Sequence, residues 1–514
     1  METFVEQKTC KHCWRWFWIR AKDLEFYDKV SPVINGVKYQ IPTPTLCPDC
    51  RLQRMLAHRN ERKLYKRTCA ATQQPIISIY SPDKPYRVYS QNFRWSDARD
   101  PFEYGRDFDF SKTFTENFNI LFQQVPKLAL HGHVSNENSD YVNYFVESKD
   151  SYCSYAWWYN EGVLYCTVAT RLKYSCDCLS CLDSEYLYNC INCIKSYNLQ
   201  YCLDMVNCSD CYNSRHCIGC KYCIDCDHLE NQEYCIANQQ VSKEEFHRFL
   251  SESKKNNTFS LSKDTTQVIR NSENCEGSYI YDSKNIYQGF DVFDSSSDCA
   301  FVEQVFWYKD SHEVFGAGYG ERVYGGLVTT LNIYEAIATS IVRRSQYVYY
   351  SQDITWCDHI FWCIGLRNKS YCIFNKQYTK EEYEILVPKI IEHMQKTGER
   401  WEFFPASISP FGYNETVANE YYPLSEEEAV KKWFKWSDYE APSPIVDKIL
   451  EGKDVPNSIQ EIEDDILKYA IRCEVTGKIF RITSQELAFY RKHNIPLPRK
   501  HPDQRHLERL QIRR

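Results

Sequence analysis

The chain has 514 residues, 43% of them hydrophobic and 25% charged, with a net charge of −7 at pH 7. This length exceeds what one hydrophobic core usually serves, so several domains are expected. The 17 glycines and 79 aromatic residues (40 Tyr, 27 Phe and 12 Trp) exclude a collagen-like or disordered chain. Because the sequence has no long apolar run and no signal-peptide pattern at its start, we expect a soluble cytoplasmic protein.

Two Cys-x-x-Cys pairs lie near the start of the chain, Cys10 with Cys13 and Cys47 with Cys50. Each pair can present two thiolates to one tetrahedral ion, which is the arrangement of a structural zinc site. Four cysteine ligands leave no coordination position open, so we expect one structural Zn²⁺ ion and no catalytic zinc. The long spacing between the pairs predicts an inserted loop around residues 31–44.

The segments CKHCWRWFWI, DLEFYDK and LCPDCR resemble the zinc-ribbon domain family, in which Cys-x-x-Cys, an aromatic residue, Phe-Tyr and a closing Cys-x-x-Cys-Arg recur. The resemblance covers about the first 55 residues and implies zinc at Cys10, Cys13, Cys47 and Cys50. The whole chain is also similar to bacterial proteins that join such a ribbon to cysteine-triplet tracts, and this similarity implies no particular activity.

The segment after the second cysteine pair, residues 51–67, is strongly basic in an otherwise acidic chain. A helix with such a face suits the phosphate backbone of a nucleic acid, and RNA is the favoured partner. A solvated helix face and an acidic protein partner are the alternatives. The candidate nucleic-acid-binding residues are Arg51, Arg54, Arg59, Arg62, Lys63, Lys66 and Arg67.

Residues 68–135 combine proline, aspartate and aromatic residues in the proportions of strands and turns, which predicts a β-rich connector. His131 and His133 form a His-x-His pair that could ligate a metal. Such pairs are more often ordinary surface histidines, and no further ligand is evident in the sequence.

Between Cys166 and Cys235 every third residue is small or apolar and none is charged. Neither a helix nor a strand has a period of three, so the pattern predicts a solenoid that bends at every inward residue. The residues that precede the inward positions are rich in Asp and Asn, which tolerate left-handed backbone. The inward cysteines are Cys166, Cys178, Cys181, Cys190, Cys193, Cys202, Cys208, Cys211, Cys217, Cys220, Cys223, Cys226 and Cys235.

Sequence similarity returns after 12 residues, for example from Cys190 to Cys202, which gives four inward residues in each coil of a narrow tube. This tract resembles the coils of cysteine-rich antifreeze β-solenoids. The resemblance implies the fold alone, because the outward Thr-x-Thr ranks of an ice-binding face are missing.

A three-cysteine spacing in this tract recurs 137 residues later in the chain. The two copies are Cys220, Cys226, Cys235 and Cys357, Cys363, Cys372. At the same offset Cys217 becomes Ile354 and Cys223 becomes Ile360. Because isoleucine cannot bind a metal, we expect the inward cysteines to be reduced thiols that fill the core, with disulfides and metal clusters as alternatives.

The three-residue register continues less strictly from Cys299 to Leu366 and predicts a second solenoid. Each array runs into a capping-box sequence, Ser242-x-x-Glu245 or Thr379-x-x-Glu382, which predicts a helix that closes the open end of the tube. Outward tyrosines could line a binding face or cover the solenoid wall. They include Tyr174, Tyr186, Tyr201, Tyr222 and Tyr234.

The sequence pattern of residues 399–468 predicts a capped helix, followed by an acidic linker that contains several prolines. The ribbon pattern then returns at an offset of 463 residues, so that Cys473 corresponds to Cys10. Thr476, His501 and Gln504 replace the other three cysteines, which predicts a degenerate ribbon-like domain without zinc. The tail that follows is basic.

The predicted fold is therefore mainly β, with two tandem solenoids of about 12 residues per coil, each closed by a helix, between a zinc ribbon and its degenerate copy. The expected function is that of a non-enzymatic zinc-binding scaffold that binds RNA or a ribonucleoprotein through its basic termini. A protein-interaction module that uses the tyrosine-rich solenoid face and an enzyme with a site between the solenoids are the alternatives, and no catalytic motif supports the latter. The predicted domains are 1–67, 68–135, 136–255, 256–398, 399–468 and 469–514.

Overall fold

The computed structural model describes residues 3–132, 135–256, 258–399, 401–442 and 445–513. The fold is mainly β, and about 19 coils of about 12 residues each lie within residues 143–373. The chain forms two compact units, which we call unit 1 (Met1–Ala129 with Gln267–Tyr439) and unit 2 (Leu130–Thr266 with Glu440–Arg514). Unit 1 contains the N-terminal part of the chain and the later coils, and unit 2 contains the C-terminal part of the chain and the earlier coils. His133, a predicted candidate ligand, lies outside the described residues.

The coils turn at every third residue because the backbone there is left-handed. Asp177, Asp183 and Asn189 have φ angles of 57°, 50° and 50°. Tyr186 and Tyr201 adopt the same conformation, with φ angles of 58° and 54°, although tyrosine is not a typical turn residue. The bend predicted before each inward position is confirmed. The predicted Asp, Asn and Gly turn residues with positive φ are Asp177, Asp183, Asn189, Asn192, Asn198, Asp204, Asn207, Asp210, Asn213, Gly219, Asp225 and Asn231.

Successive coils pair in parallel, so that residues 12 positions apart lie side by side. Leu187 pairs with Leu199, and Leu199 pairs with Cys211. The inward cysteines are buried in one continuous core with leucine, valine and alanine. Inward serines satisfy the backbone of the next coil, as where Ser196 N donates to Ser184 Oγ over 2.9 Å. A small side chain with a polar atom therefore suits the tight tube.

The coils in unit 2 have short strands and many single bridges. The strands are Asn143–Val146, Tyr155–Trp158, Glu185–Tyr188, Tyr197–Gln200, Ser209–Tyr212, Lys221–Ile224, Glu233–Ile236 and Gln239–Gln240.

The coils in unit 1 are less regular, because some contain 13 residues. Gly320 pairs with Ile333, and Phe290 pairs with Glu303. These longer coils explain the change of phase in the sequence pattern. The strands of this series are Ile269–Arg270, Gly277–Tyr281, Lys284–Tyr287, Gly289–Phe293, Ser297–Thr330, Ile333–Arg343, Gln346–Tyr349, Gln352–Thr355, Asp358–Phe361, Ser370–Ile373 and Lys376–Gln377.

Helices follow each coil series and occupy both ends of the chain. The α-helices are α1 (Ala21–Val30), α2 (Pro48–Leu56), α3 (Gln91–Trp95), α4 (Phe114–Gln124), α5 (Lys243–Asn256), α6 (Lys380–Thr397), α7 (Val417–Tyr421), α8 (Glu426–Lys431), α9 (Ser484–His493) and α10 (Pro502–Ile512). Thr379 Oγ1 accepts a hydrogen bond from Glu382 N at the start of α6, as its capping box predicts. In the part of the chain that the structure describes, no helix has the length and apolar character needed to span a membrane.

Short strands complete the two ends of the chain. In residues 1–129 they are Phe4–Thr9, Trp16–Arg20, Val33–Ile34, Val37–Lys38, Tyr65–Thr68, Pro75–Ser78, Val88–Tyr89 and Lys127–Leu128. In residues 440–514 they are Ile449–Glu451, Ala470–Arg472 and Ile479–Phe480.

Candidate metal centre

Four cysteine thiols meet where the hairpin of strands Phe4–Thr9 and Trp16–Arg20 faces the start of α2. The Sγ atoms of Cys10, Cys13, Cys47 and Cys50, which we call the four-cysteine site, all lie within 4.8 Å of one another. Cys13 Sγ lies 3.6 Å from Cys47 Sγ. Around a tetrahedral zinc ion with Zn–S bonds of about 2.3 Å, two sulfur atoms are about 3.8 Å apart. The four predicted ligands therefore form a group that can hold a metal ion.

Backbone hydrogen bonds shape both halves of the four-cysteine site. Cys10 N donates to Arg15 O over 2.9 Å, and Trp14 N donates to Cys10 O over 3.0 Å, so the chain reverses tightly around the first pair. Trp14 has a φ angle of 62°, which completes this turn. Cys47 is the N-cap of α2, and Cys50 follows within the first helical turn. The tight turn and the helix start thus direct each pair of thiols towards one point.

The environment of the four-cysteine site suits a closed structural ion. A hydrogen bond from the Cys50 side chain is the main cause that lowers the pKa of Cys47 to about 5, and the same contact raises the pKa of Cys50, so one thiol of this pair forms the metal-binding thiolate readily. Cys10, Cys47 and Cys50 are buried and pack against Phe17 and Ile19. Four sulfur ligands complete the coordination of a tetrahedral ion and leave no position for a substrate.

No family model and no curated protein matches this sequence. The likeness to zinc ribbons therefore depends on the four cysteines and on the hairpin and helix that bring them together.

The C-terminal copy keeps the backbone of this site without its ligands. Cys473 N donates to Lys478 O over 2.8 Å, and Gly477 N donates to Cys473 O over 3.0 Å, which repeats the hydrogen bonds around Cys10. Gly477, with a φ angle of 69°, takes the conformation that Trp14 has in the first copy. The Cys473 thiol accepts a hydrogen bond from Thr476 N over 3.4 Å instead of facing a second thiol. The Cys473 thiol thus has a backbone N–H as its partner, where Cys10 has other thiols nearby.

A third hairpin has the same turn. Cys69 N donates to Gln74 O and Gln73 N donates to Cys69 O, both over 2.9 Å, and Gln73 has a φ angle of 58°. The turn around Cys69 therefore has the same backbone form as the turns around Cys10 and Cys473.

Most of the predicted nucleic-acid-binding residues form ion pairs or hydrogen bonds with other residues of the protein. Arg51 Nη1 lies 2.7 Å from Glu313 Oε1, and Arg54 Nη1 lies 3.0 Å from Glu402 Oε2. Arg59 is 2% exposed and its Nε lies 2.6 Å from Glu61. Arg62 is buried, Lys63 and Arg67 are partly buried, and Lys66 is exposed. RNA binding by this segment stays a prediction. It would depend mainly on Lys66, because Arg67 donates to backbone carbonyls of residues 81–86.

The predicted tyrosine face is partly covered by the rest of unit 2. Tyr222 and Tyr234 both pack edge-on against Phe246 of α5, with ring centroids 5.9 Å apart in each case. Tyr201 lies 6.2 Å from the ring of Phe259. Tyr174 is 38% exposed, so it is the predicted tyrosine that stays most open to a partner.

Two features of unit 2 were not anticipated from sequence. The first is a buried ionic network in which Arg509 Nη2 donates to Asp177 Oδ1 over 2.9 Å and Arg505 donates to the same carboxylate. The four-residue spacing of Arg505, Arg509 and Arg513 is the sequence signal for it, since Arg505 and Arg509 share one face of α10 and Arg513, the C-cap residue that follows it, continues this face. The second is His216, which lies between two carboxylates.

Proposed function

We propose that the protein is a non-enzymatic scaffold in which a zinc ion at the four-cysteine site fixes the N-terminal ribbon, and that this ribbon binds single-stranded RNA. The observation that carries the proposal is a row of exposed tryptophans beside the four-cysteine site. Trp14, Trp16 and Trp18 are 75%, 71% and 50% exposed. Large aromatic side chains are normally buried, so three in a row on one surface favour a binding role.

In this proposal the coils serve as a rigid support. They form two tandem solenoids, and α5 and α6 each close one of them. Phe246 of α5 and Tyr383 of α6 are buried against the last coils, which supports this role. Closing helices would prevent the last strands from pairing with other chains.

We call the exposed face formed by Trp14, Trp16 and Trp18 the tryptophan surface. Its aromatic composition is typical of sites that bind single-stranded nucleic acid. Trp16 and Trp18 alternate along strand Trp16–Arg20 with the buried residues Phe17 and Ile19, so the two indoles lie on the same outer face. Phe4 extends this face, with its ring centroid 5.7 Å from that of Trp18. Bases of any sequence can stack on such rings.

Cationic side chains border this face. Lys11 and Arg15 lie in the turn of the hairpin and are exposed. Lys8 pairs with the buried Phe17, so it lies on the other face of the hairpin, where its Nζ donates to Thr43 Oγ1. Glu6 is the acidic residue in the same hairpin. The excess of positive charge favours a phosphate backbone, with an affinity that falls as salt increases.

The test compares exposed tryptophans in two places. A fluorescein-labelled oligouridylate is titrated with the full chain, with the double variant Trp16→Ala/Trp18→Ala, and with Trp433→Ala, which removes an 83% exposed tryptophan elsewhere in unit 1. We expect the double variant to weaken binding about tenfold or more, because each lost stacking contact contributes about 1–3 kcal/mol. Trp433→Ala should bind like the unmodified protein. Equal binding by all three proteins, or none by any at low salt, would refute the proposal.

A protein partner is the second candidate, because Phe4, Val5, Val33 and Val37 add exposed apolar area to the ribbon. In a pull-down after nuclease treatment, one partner lost on Trp16→Ala/Trp18→Ala substitution would favour this alternative over RNA.

A further inference from the structure

One line of turn residues on the outside of the unit 1 coils carries large aromatic and cationic side chains. Trp356 N donates to Arg343 O and Asn368 N donates to Thr355 O, both over 3.1 Å, so successive members of the line are neighbours on adjacent coils. All members have left-handed backbone, with φ angles between 46° and 63°. We call this line the outer column, and its residues are Trp307, Tyr319, Asn332, Arg344, Trp356 and Asn368.

The aromatic rings of the outer column remain accessible. Trp356 is 43% exposed and Tyr319 is 40% exposed. The ring of Trp307 stacks on that of Tyr319, with centroids 4.3 Å apart and planes inclined by 10°. Left-handed backbone is unfavourable for such side chains, and the partial burial of Trp356 offsets little of that cost. A large exposed ring in a strained position favours a role in binding over a role in folding.

Two arginines flank the ring of Trp356. The guanidinium carbon of Arg344 lies 5.2 Å from the ring centroid, and that of Arg367 lies 5.4 Å from it. Arg367 Nη1 also donates to Trp95 O over 3.1 Å, which fixes the position of this side chain. Both arginines are exposed, and among the described residues neither has a carboxylate within the 4.0 Å of an ion pair. Their charges are therefore available to a partner.

The acidic residues close to Trp356 in the sequence do not cancel this charge. Asp353 forms an ion pair with Arg94. Asp358 Oδ2 lies 2.9 Å from Nδ1 of His359, which is charged only when it is protonated. The two arginines beside Trp356 therefore outnumber the carboxylates around it, and the outer column attracts a polyanion.

Unit 2 provides an internal comparison through the 137-residue offset between the two coil series. The corresponding residues are Arg344 and Asn207, Trp356 and Gly219, and Arg367 and Glu230. Asn207 and Gly219 have φ angles of 53° and 66°, so unit 2 makes the same turns. Asparagine and glycine adopt this backbone with less strain than tryptophan or arginine does. The turns themselves therefore do not require the aromatic and cationic side chains of unit 1.

Aromatic rings beside guanidinium groups favour single-stranded nucleic acid over other polyanions. Unpaired bases stack on aromatic rings and on guanidinium planes, and phosphates bind arginine. A duplex offers its bases to neither, because they are stacked inside it. Adjacent coils are about 4.8 Å apart, so Tyr319 and Trp356 lie about 14 Å apart along the tube, with Arg344 between them. An extended strand could thus contact both rings and the arginines.

We propose that the outer column is a second binding surface for single-stranded RNA in unit 1, in addition to the tryptophan surface. Bases stack against Trp356 and Tyr319, and phosphates bind Arg344 and Arg367. This inference rests on the proposed function for the identity of the ligand. A strand that contacts both surfaces binds more tightly than either surface alone would hold it.

Titration of a long fluorescein-labelled oligouridylate with the full chain tests the proposal. The variant Arg344→Asn/Trp356→Gly gives the outer column the residues that unit 2 has at these positions, so the turns keep their form. The control Tyr159→Gly/Arg248→Asn removes an exposed aromatic residue, which has a φ angle of 61°, and an exposed arginine from unit 2. We expect the outer-column variant to weaken binding at least tenfold and the control to bind like the unmodified protein.

The variant Trp16→Ala/Trp18→Ala separates this inference from the proposed function. Weaker binding by the outer-column variant alone would support the outer column and refute the tryptophan surface. Weaker binding by Trp16→Ala/Trp18→Ala alone would overturn the outer column and leave the proposed function intact. If neither variant weakens binding, both proposals are wrong.

A milder variant tests the phosphate contact without changing the turn-forming residue to one of a different size. Arg344→Gln should reduce the slope of log Kd against log salt concentration by about one, as expected for one lost phosphate contact. An unchanged slope would contradict this contact.

Competitors distinguish RNA from an acidic protein. Unlabelled polyglutamate and inorganic polyphosphate are added to the oligouridylate complex of Trp16→Ala/Trp18→Ala. Because neither competitor carries bases, each should displace the label at least tenfold less effectively than unlabelled oligouridylate does. Equal displacement by either competitor would show a surface for acidic chains in general and would overturn the assignment to RNA.

Discussion

The Nε2 atom of His216 lies 2.6 Å from a carboxylate oxygen of Asp264, and its Nδ1 atom lies 3.1 Å from Asp204. All three side chains are buried. Both ring nitrogens can donate only when the imidazole is protonated, so this geometry favours a buried imidazolium ion. Arg215 Nη1, 3.8 Å from Asp264, and the His228 ring, with its centroid 4.6 Å away, are the neighbouring basic groups.

This arrangement predicts a stability maximum in mildly acidic solution. Burial opposes the charge, but hydrogen bonds to Asp204 and Asp264 raise the pKa of His216 above its usual value. The stabilisation is therefore complete below about pH 6.5 and is lost as pH rises through the raised value. Burial opposes the charge of Asp264 as well, yet hydrogen bonds from Thr266 and His216 lower its pKa to about 2. Its contribution is present above about pH 4 and is lost as pH falls towards that value.

Melting temperature measured from pH 3 to pH 9 tests this prediction. We expect His216→Gln to be less stable by about 2–4 kcal/mol near pH 5.5, since it leaves two buried carboxylates without their cation. The difference from the unmodified protein should shrink above pH 7. His247→Gln, at an exposed site in α5, is the control. A difference that does not depend on pH would contradict the imidazolium assignment.

The turn positions predict a strong preference against β-branched residues. Asn207 is exposed and has a φ angle of 53°. Asn207→Val should reduce the free energy of unfolding by about 1–2 kcal/mol, because a left-handed backbone brings its Cβ close to a carbonyl oxygen. Asn207→Gly should be nearly neutral. Lys221→Val is the control in strand Lys221–Ile224, and urea denaturation of all three variants provides the measurement. Equal effects of Val at both positions would contradict the prediction.

The sequence predicted the coils well because both of their determinants are local. The inward residue and the turn residue before it recur every three positions, so the period alone reveals the architecture. The four-cysteine site was equally accessible, since its ligands come in two short pairs. From the sequence alone Arg51 and Arg505 are only basic residues, because their partners Glu313 and Asp177 lie hundreds of residues away in the chain. The buried ionic networks depend on such distant pairing, which no local sequence pattern records.

The inward cysteines are predicted to tolerate apolar replacement. Cys211 is buried and pairs with Leu199 on the preceding coil, and Val348 occupies the corresponding position in unit 1. Cys211→Val should change the free energy of unfolding by less than about 1.5 kcal/mol and leave the zinc content unchanged. Cys211→Asp should prevent folding, because it buries an unpaired carboxylate. Loss of bound metal from the valine variant would show that these cysteines are ligands.

The hairpins around Cys10 and around Cys473 have the same backbone form but different numbers of thiols, and we expect them to differ in metal binding. Cys13→Ser removes one member of the four-cysteine site, so the purified variant should contain less zinc and melt at a lower temperature. Cys473→Ser changes the corresponding hairpin of unit 2, where the thiol accepts a hydrogen bond from Thr476, and should keep its zinc. Elemental analysis by mass spectrometry measures both variants. Equal zinc in Cys13→Ser and the unmodified protein would exclude zinc from the four-cysteine site.

The ion pairs between α10 and Asp177 predict that Asp177 contributes far more to the free energy of unfolding than other turn residues of the coils do. Asp177 is 1% exposed and carries the charge opposite Arg505 and Arg509, so Asp177→Asn should lower the free energy of unfolding by about 3–5 kcal/mol. Asparagine also adopts a left-handed backbone easily, so the substitution isolates the charge.

Asp183→Asn is the matched control, because Asp183 has a φ angle of 50° and pairs with Arg171 at the surface. It should change stability by less than about 1 kcal/mol, as exposed ion pairs usually do. Urea denaturation of both variants separates the two outcomes. If the two changes have equal effects, the ionic network between α10 and Asp177 does not stabilise unit 2.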